Sequence, residues 1–201
     1  MNDMRKSFMY CGPELDAEGV VIERFTVGER DLGNIMAMAR STRAGDYTRL
    51  SVDGRLWMSD TDAEYRDQIM ALIEAQRHAG GRGLVNGLGL GCTLGAMLDH
   101  LEHIDVVESE ERVCRLIGKW YESEFPGRVT VHCDNAYTIQ WPKGTRWDVV
   151  WHDIWPGLCE DNLEGMGTLH RRYGRRCDWQ GSWGKELLQY ERRRTRDAWW
   201  R

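Results

Sequence analysis

The chain has 201 residues, a formal net charge of −5 and a mean hydropathy of −0.60, with 41% hydrophobic and 29% charged residues. These values exclude collagen-like, low-complexity and disordered chains, and the length suits one domain with a real core. No apolar run approaches the roughly 20 residues of a membrane span, and the opening MNDMRKSFMYCGPEL has no apolar stretch of signal-peptide length, so a cytoplasmic protein without a membrane partner is expected.

The six cysteines, Cys11, Cys92, Cys114, Cys133, Cys159 and Cys177, are dispersed, with no C-x-x-C and no His at finger spacing. Reduced thiols are expected, with neither a metal site nor a disulfide framework. The charge is unevenly placed. Residues 171–201 carry ten Lys/Arg against four Asp/Glu, or +6, and the other 170 residues carry 17 against 28, or −11. This basic end, with Trp179, Trp183, Trp199 and Trp200 beside it, is either a solvated helix or a nucleic-acid contact that combines phosphate neutralisation with base stacking.

In chain order, residues 1–45 have few periodic apolar positions and read as an irregular lead-in, and residues 46–201 read as one domain. YTRLSVDGRLWMSD places two β-favouring runs around Asp53-Gly54, a dipeptide suited to a tight hairpin turn. Thr61-x-x-Glu64 has capping-box spacing and opens a helix with Tyr65, Ile69, Leu72, Ile73 and Gln76 on one face, closed by Gly80 and Gly81. Then follow a strand at GLVNG, a helix, a strand at HIDVVES, and a helix at EERVCRLIGKWYESEF with Val113, Leu116, Ile117, Trp120 and Tyr121 in phase. RVTVHCD and RWDVVWHDIW read as the third and fourth strands, EDNLEGMGTLHRRYG as a helix, CDWQGSW as a fifth strand and KELLQYERRRTRDAWW as a final helix. Strands alternating with helices at this spacing predict an α/β fold, a Rossmann-like doubly wound, mostly parallel sheet with an N-terminal β-hairpin.

LVNGLGLGCTLGAML concentrates Gly87, Gly89, Gly91 and Gly95 at the first strand-to-helix turn. There a ligand approaches the backbone closely, so absent side chains make room for it, and Gly95 is placed for close packing of helix on sheet. Glu108 ends the next strand 21 residues after Gly87, where an acid can accept hydrogen bonds from two ribose hydroxyls. Cys92 stands where G-x-G-x-x-G needs its third glycine, and no Walker pattern is present. The looser G-x-G-x-G fits a ligand without a pyrophosphate.

From about Leu50 to Trp155 the chain resembles the class I S-adenosylmethionine-dependent methyltransferases, and within that fold the spermidine-synthase branch, in a small bacterial or phage form. NGLGLGCTLGAML resembles the glycine motif, VVESEE the ribose motif, HCDNAY the adenine motif and DVVWHDIW the strand end that faces the substrate. The hairpin and helix start LSVDGRLWMSDTDAEYRD resemble the aminopropyltransferase lead-in.

The resemblance implies S-adenosyl-L-methionine as cofactor and a sheet ordered 3-2-1-4-5, without the final antiparallel hairpin of a full methyltransferase sheet. It implies that Asn86, Gly87, Gly89 and Gly91 meet the amino-acid end of the ligand, Glu108 with Ser109 the ribose, and Asp134 with Asn135 the adenine, while Asp153 faces the reacting centre. Leu90 and Pro156 replace two aspartates of the aminopropyltransferases, and Tyr65-Arg66-Asp67 replaces their Tyr-His-Glu. Polyamine ammonium groups need such acids, so methyl transfer is the preferred chemistry. Aminopropyl transfer and a non-catalytic ligand-binding or interaction protein are the alternatives.

Where the acceptor must lose a proton, Asp153 is the expected base; His152, next in sequence, points to the opposite face of a strand. Trp151 and Trp155 are read as packing more than as a stacking platform. Eight of the ten tryptophans lie from Trp141 onward, a composition suited to a homo-oligomer interface. The methyl acceptor is not legible.

Overall fold

A computed structural model describes residues 3–28 and 42–198. After a short helix α1 (Asp3–Ser7), strands β1 (Leu15–Ala17), β2 (Val20–Val27), β3 (Gly45–Val52) and β4 (Arg55–Ser59) form an antiparallel sheet in the order β1-β2-β3-β4. Asp53 and Gly54, at φ 50° and 73°, make the β3–β4 turn, as the dipeptide predicts.

The expectation of an irregular lead-in over residues 1–45 is corrected for residues 3–28 and 42–45; residues 1, 2 and 29–41 lie outside the described residues. Glu18 and Gly19, at φ 56° and 79°, form a second tight turn, and β2 pairs with all of β3 from Val20↔Val52 to Val27↔Gly45. Val20, Ile22 and Val27 are buried; Glu23 and Arg24 lie between them, and those charges obscure the alternation in sequence.

Helix α2 (Asp62–Arg77) leads to β5 (Arg82–Asn86), α3 (Cys92–Leu98) and β6 (His103–Glu108). Helix α4 is one run of three stretches, Glu111–Val113, a π-helical Cys114–Gly118 and Lys119–Glu124. Then come β7 (Val129–Cys133), β8 (Trp147–His152), α5 (Asn162–Tyr173), β9 (Cys177–Ser182) and α6 (Lys185–Ala198). Strands β5 to β9 pair in parallel in the order β7-β6-β5-β8-β9, the expected 3-2-1-4-5.

Because side chains alternate along a strand, the central strands β5, β6 and β8 feed two cores. Val85, Val106 and Trp151 pack with Leu72, Leu94 and Ile117 of α2, α3 and α4. Leu84, Val107 and Val150 pack with Leu169 and Tyr173 of α5.

Three local expectations differ from the structure. Thr61 is the N-cap of α2, but its side chain makes no capping bond; its hydroxyl accepts from Ser59 instead. The buried stripe of α2 is Gln68, Ala71, Leu72 and Ala75, with Gln76 exposed, because the Gln68 amide has partners on β8. Gly95 packs beside the Ser7 carbonyl of α1, not against the sheet. Of the cysteines, Cys92, Cys114 and Cys177 are buried and the other three exposed, all unpaired. No helix among the described residues is long and apolar enough to cross a membrane.

Candidate functional site

The strand order reverses between β5 and β8, and a doubly wound sheet opens its ligand crevice at the carboxyl ends of such a pair. The Asp153 N–H donates to the Asn86 carbonyl at 2.8 Å, and the Gly87 N–H to the Val107 carbonyl at 2.8 Å, tying the three strand ends together.

Gly87, Gly89 and Gly91 adopt φ of 98°, 53° and 77°. A Cβ at Gly87 would overlap the Asp153 carbonyl oxygen, at Gly89 the Met58 thioether and at Gly91 the Tyr121 ring. The space freed by the missing side chains is therefore taken first by the chain's own atoms. At Gly87 and Gly91 the neighbours are a backbone carbonyl and a buried ring; the Tyr121 hydroxyl also donates to the Leu90 carbonyl at 3.1 Å. At Gly89 the neighbour is the unbranched, half-buried Met58 of β4, whose sulfur accepts from the Leu90 N–H at 3.1 Å.

Glu108, 7% exposed, ends β6 beside this loop. One carboxylate oxygen accepts from the Leu88 N–H at 2.9 Å and the other from the Glu110 N–H at 2.8 Å. A carboxylate has about four acceptor positions, so each oxygen keeps one. Ser109 is exposed next to it. Asp134 and Asn135 are also exposed and shape their own turn: Asp134 accepts from the Asn135 N–H at 2.6 Å, and Asn135 from the Tyr137 N–H at 2.8 Å. The Asp134 N–H donates to the Glu108 carbonyl at 3.0 Å, which joins the two acids at the β6 and β7 ends.

Asp153, half-buried just beyond β8, accepts from the Gln68 amide at 2.7 Å, and Gln68 in turn accepts from the Trp151 indole N–H at 2.6 Å. Burial pushes the Asp153 carboxyl up to about 7, against the Gln68 hydrogen bond that lowers it, and the nearby Asp67 raises it further. A carboxylate titrating near neutrality is suited to general-base work. The Trp183 indole N–H points to Asp67 at 3.4 Å.

On the opposite face His152 is fully buried, its Nδ1 2.8 Å from the Asn86 amide nitrogen and its Nε2 3.3 Å from Gln180 Oε1. Burial lowers it to about 3. It is neutral, with Nε2–H donating to Gln180 and Nδ1 accepting from Asn86. Asn86 Oδ1 is buried without a partner. Trp151 stacks on Trp179 at 6.2 Å and Trp155 packs at the edge of the α5-side core, both in packing roles.

The structure thus brings Asn86, Gly87, Gly89, Gly91, Glu108 and Asp153 to the switch point, and sets Ser109, Asp134 and Asn135 at its exposed rim. The sequence reading missed Gln68 and Met58. Gln68 had a signal, as it shares a 68, 71, 72, 75 stripe with Ala71, Leu72 and Ala75. Met58 had none, because its partner Leu90 lies 32 residues away in the loop after β5.

The strand order and its reversal define a Rossmann-like α/β domain, with the glycine loop at the reversal. No family model matches the chain, and a search of curated proteins finds no match. Among solved structures, the N-methyltransferase NodS from Bradyrhizobium japonicum WM9 matches at 11% identity and a TM-score of 0.45, over 57% of this chain and 62% of that one. The CcbJ methyltransferase from Streptomyces caelestis matches at 18% and 0.44, over 55% and 45%. A dimethyladenosine transferase from Plasmodium falciparum matches at 15% and 0.40, over 52% and 36%. In each case the match spans less than two thirds of the other protein's length.

Proposed function

We propose that this protein is an S-adenosylmethionine-dependent methyltransferase in which Asp153 is the general base. The observation that carries the reading is geometric: Asp153 stands at the strand reversal, its backbone bonded to Asn86 and against Gly87 of the glycine loop and its carboxylate held by Gln68. The antiparallel sheet that precedes the parallel one supports placing it near the spermidine-synthase-like branch.

The residues present fit the cofactor. The Leu90 N–H has only a thioether as acceptor, and that thioether belongs to a flexible chain that can leave. The loop at Gly89 therefore already accommodates a methionine-type end, and a carboxylate is the stronger acceptor for the same donor. Glu108 keeps two acceptor positions for ribose hydroxyls, and Asp134 and Asn135 would border the base. When bound, S-adenosylmethionine supplies an electrophilic methyl group, so this chain needs to orient the acceptor and take its proton.

Gln68 holds one oxygen of Asp153 and is itself held by Trp151, which leaves the other oxygen to accept a proton from an acceptor N–H or O–H. His152 is buried, neutral and directed to the other face, so it takes no part in that step.

Calorimetric titration with S-adenosylmethionine, S-adenosylhomocysteine, decarboxylated S-adenosylmethionine and NAD, repeated on Glu108→Ala, tests the reading. Binding of the first two that is lost in the variant supports it. Preference for the decarboxylated compound would favour aminopropyl transfer, and binding of none would overturn the proposal.

A further inference from the structure

Two clefts open on the α5 side of the parallel sheet, one on each side of Trp141. The first, about 480 Å³, runs from Arg82 past Asp105 and His132 to Asp134. The second, about 470 Å³, is walled by Thr168, Arg171, Arg172 and Arg176, and Gln140 and Trp141 line both. Trp141 is fixed between them. Its ring meets His132 and Trp147 edge-on at 4.8 Å, and its indole N–H points to the Tyr173 hydroxyl at 3.4 Å.

The three arginines share one cleft and have only neutral partners. Arg171 donates to the Thr168 hydroxyl at 3.0 Å, Arg172 to the Ile139 carbonyl, and Arg176 to the Pro142 and Thr145 carbonyls at 3.4 and 3.2 Å. Among the described residues no carboxylate pairs with any of them, and Arg172 Nε is buried with no partner at all. Elsewhere Arg82 is paired with Asp105 at 3.3 Å, Arg146 with Asp178 at 2.8 Å and Arg192 with Glu160 at 3.3 Å. Three guanidinium groups held together without counter-charge repel one another, and an anion seated among them relieves that repulsion.

The planar fork of arginine matches the oxygens of a phosphate, and a fixed indole beside it offers a stacking face to an unpaired base. Gln140 and Trp141 line both clefts, so the groove continues past Trp141 and is longer than one phosphate requires. We propose that this groove binds single-stranded nucleic acid, with a backbone phosphate among Arg171, Arg172 and Arg176 and a base against Trp141. The arginine cleft is independent of the methyltransferase reading, because Arg171 and Arg172 end α5 and Arg176 precedes β9, at the amino ends of the strands and away from the glycine loop; the far end of the first cleft reaches Asp134 at the rim of the candidate cofactor site. It also differs from the α6 arginines, to which the basic composition alone would assign the contact.

Fluorescence anisotropy of a labelled single strand of about 15 nucleotides, with the full chain at about 50 and about 200 mM salt, tests it. Saturable binding is expected, weakened at least about tenfold in Arg171→Gln/Arg176→Gln with the log–log salt slope reduced by roughly one. Arg171→Lys/Arg176→Lys should restore the slope more fully than the affinity, since it keeps charge but loses the fork, an outcome that a merely misfolded variant would not give. Absence of binding at low salt, equal or tighter binding of the matching duplex, or competition by inorganic phosphate or a free nucleotide at the strand's own concentration would each overturn the proposal. So would loss of binding in Arg192→Gln/Arg193→Gln/Arg194→Gln with the groove double variant unaffected.

Discussion

His152 and Asp153 are adjacent in sequence, lie on opposite faces of the sheet, and are displaced by burial in opposite directions. His152, among Asn86, Gln180 and His170, is lowered to about 3; Asp153, held by Gln68, is raised to about 7. Both shifts disfavour the charged form, so at neutral pH the histidine is inert and the carboxylate is balanced between its two states.

For Asp153 the folded value lies above the unfolded 3.8, so the stability it contributes is present below 3.8 and lost as pH rises through about 7. Asp153→Asn should therefore be more stable than the wild type at pH 8, by ~1–2 kcal/mol after allowance for solvent access; under the proposed function, methyl transfer would be abolished and cofactor binding kept. Gln68→Leu removes the bond that lowers the carboxyl and should move its titration to higher pH. A carbon-detected NMR titration of the Asp153 carboxyl reads this directly; an unmoved midpoint in Gln68→Leu would show that the Gln68 contact does not tune the base.

His152 has the opposite sign. Its folded value of about 3 lies below the unfolded 6.5, so the native state binds fewer protons across that window and stability falls as pH drops from 6.5 towards 3. His152→Gln should flatten this dependence by roughly 3 kcal/mol in urea titrations at pH 4 compared with pH 7. Parallel pH profiles for the two proteins would refute the assignment.

The glycine loop separates backbone packing from ligand space. Gly87→Ala places a methyl group on the Asp153 carbonyl at φ 98° and should cost ~3 kcal/mol or more. Gly144→Ala, at φ 88° but with nothing within 4 Å, should cost only ~1 kcal/mol. Thermal melts of both variants rank them.

Glu108 holds two backbone N–H groups with one carboxylate and, under the proposed function, would hold the ligand with the same group. Glu108→Gln retains a single accepting oxygen, so one of the Leu88 and Glu110 N–H groups loses its bond. A loss of ~1–2 kcal/mol in stability is expected, with cofactor affinity falling by more than about tenfold, as for a lost charge-assisted contact. Calorimetry and melting on the same sample separate the two effects.

Met58 occupies the Leu90 N–H and the space over Gly89, so a ligand entering there must displace it. Met58→Ala should tighten S-adenosylmethionine binding several-fold, mainly through a faster on-rate, because the competing side chain is gone. Weaker binding in stopped-flow titration would mean that Met58 instead lines the bound ligand.

The sheet order was an implication of the family resemblance, but the sequence by itself determined the alternation of strands and helices, the Asp53-Gly54 turn and the places of Glu108 and Asp153 at strand ends. These follow from periodicity and turn chemistry, which act over a few residues. It also fixed that His152 and Asp153 face apart, since alternation is local. The tertiary structure decided what long-range packing decides. It showed that β2 is a full partner of β3, that the glycines admit Asp153, Met58 and Tyr121, and that Gln68 turns inward because its amide is met by groups 83 and 85 residues away. The same holds for charge. Composition located a basic end, but whether an arginine is neutralised depends on which acids the fold places beside it, and only the folded chain leaves Arg171, Arg172 and Arg176 together without one.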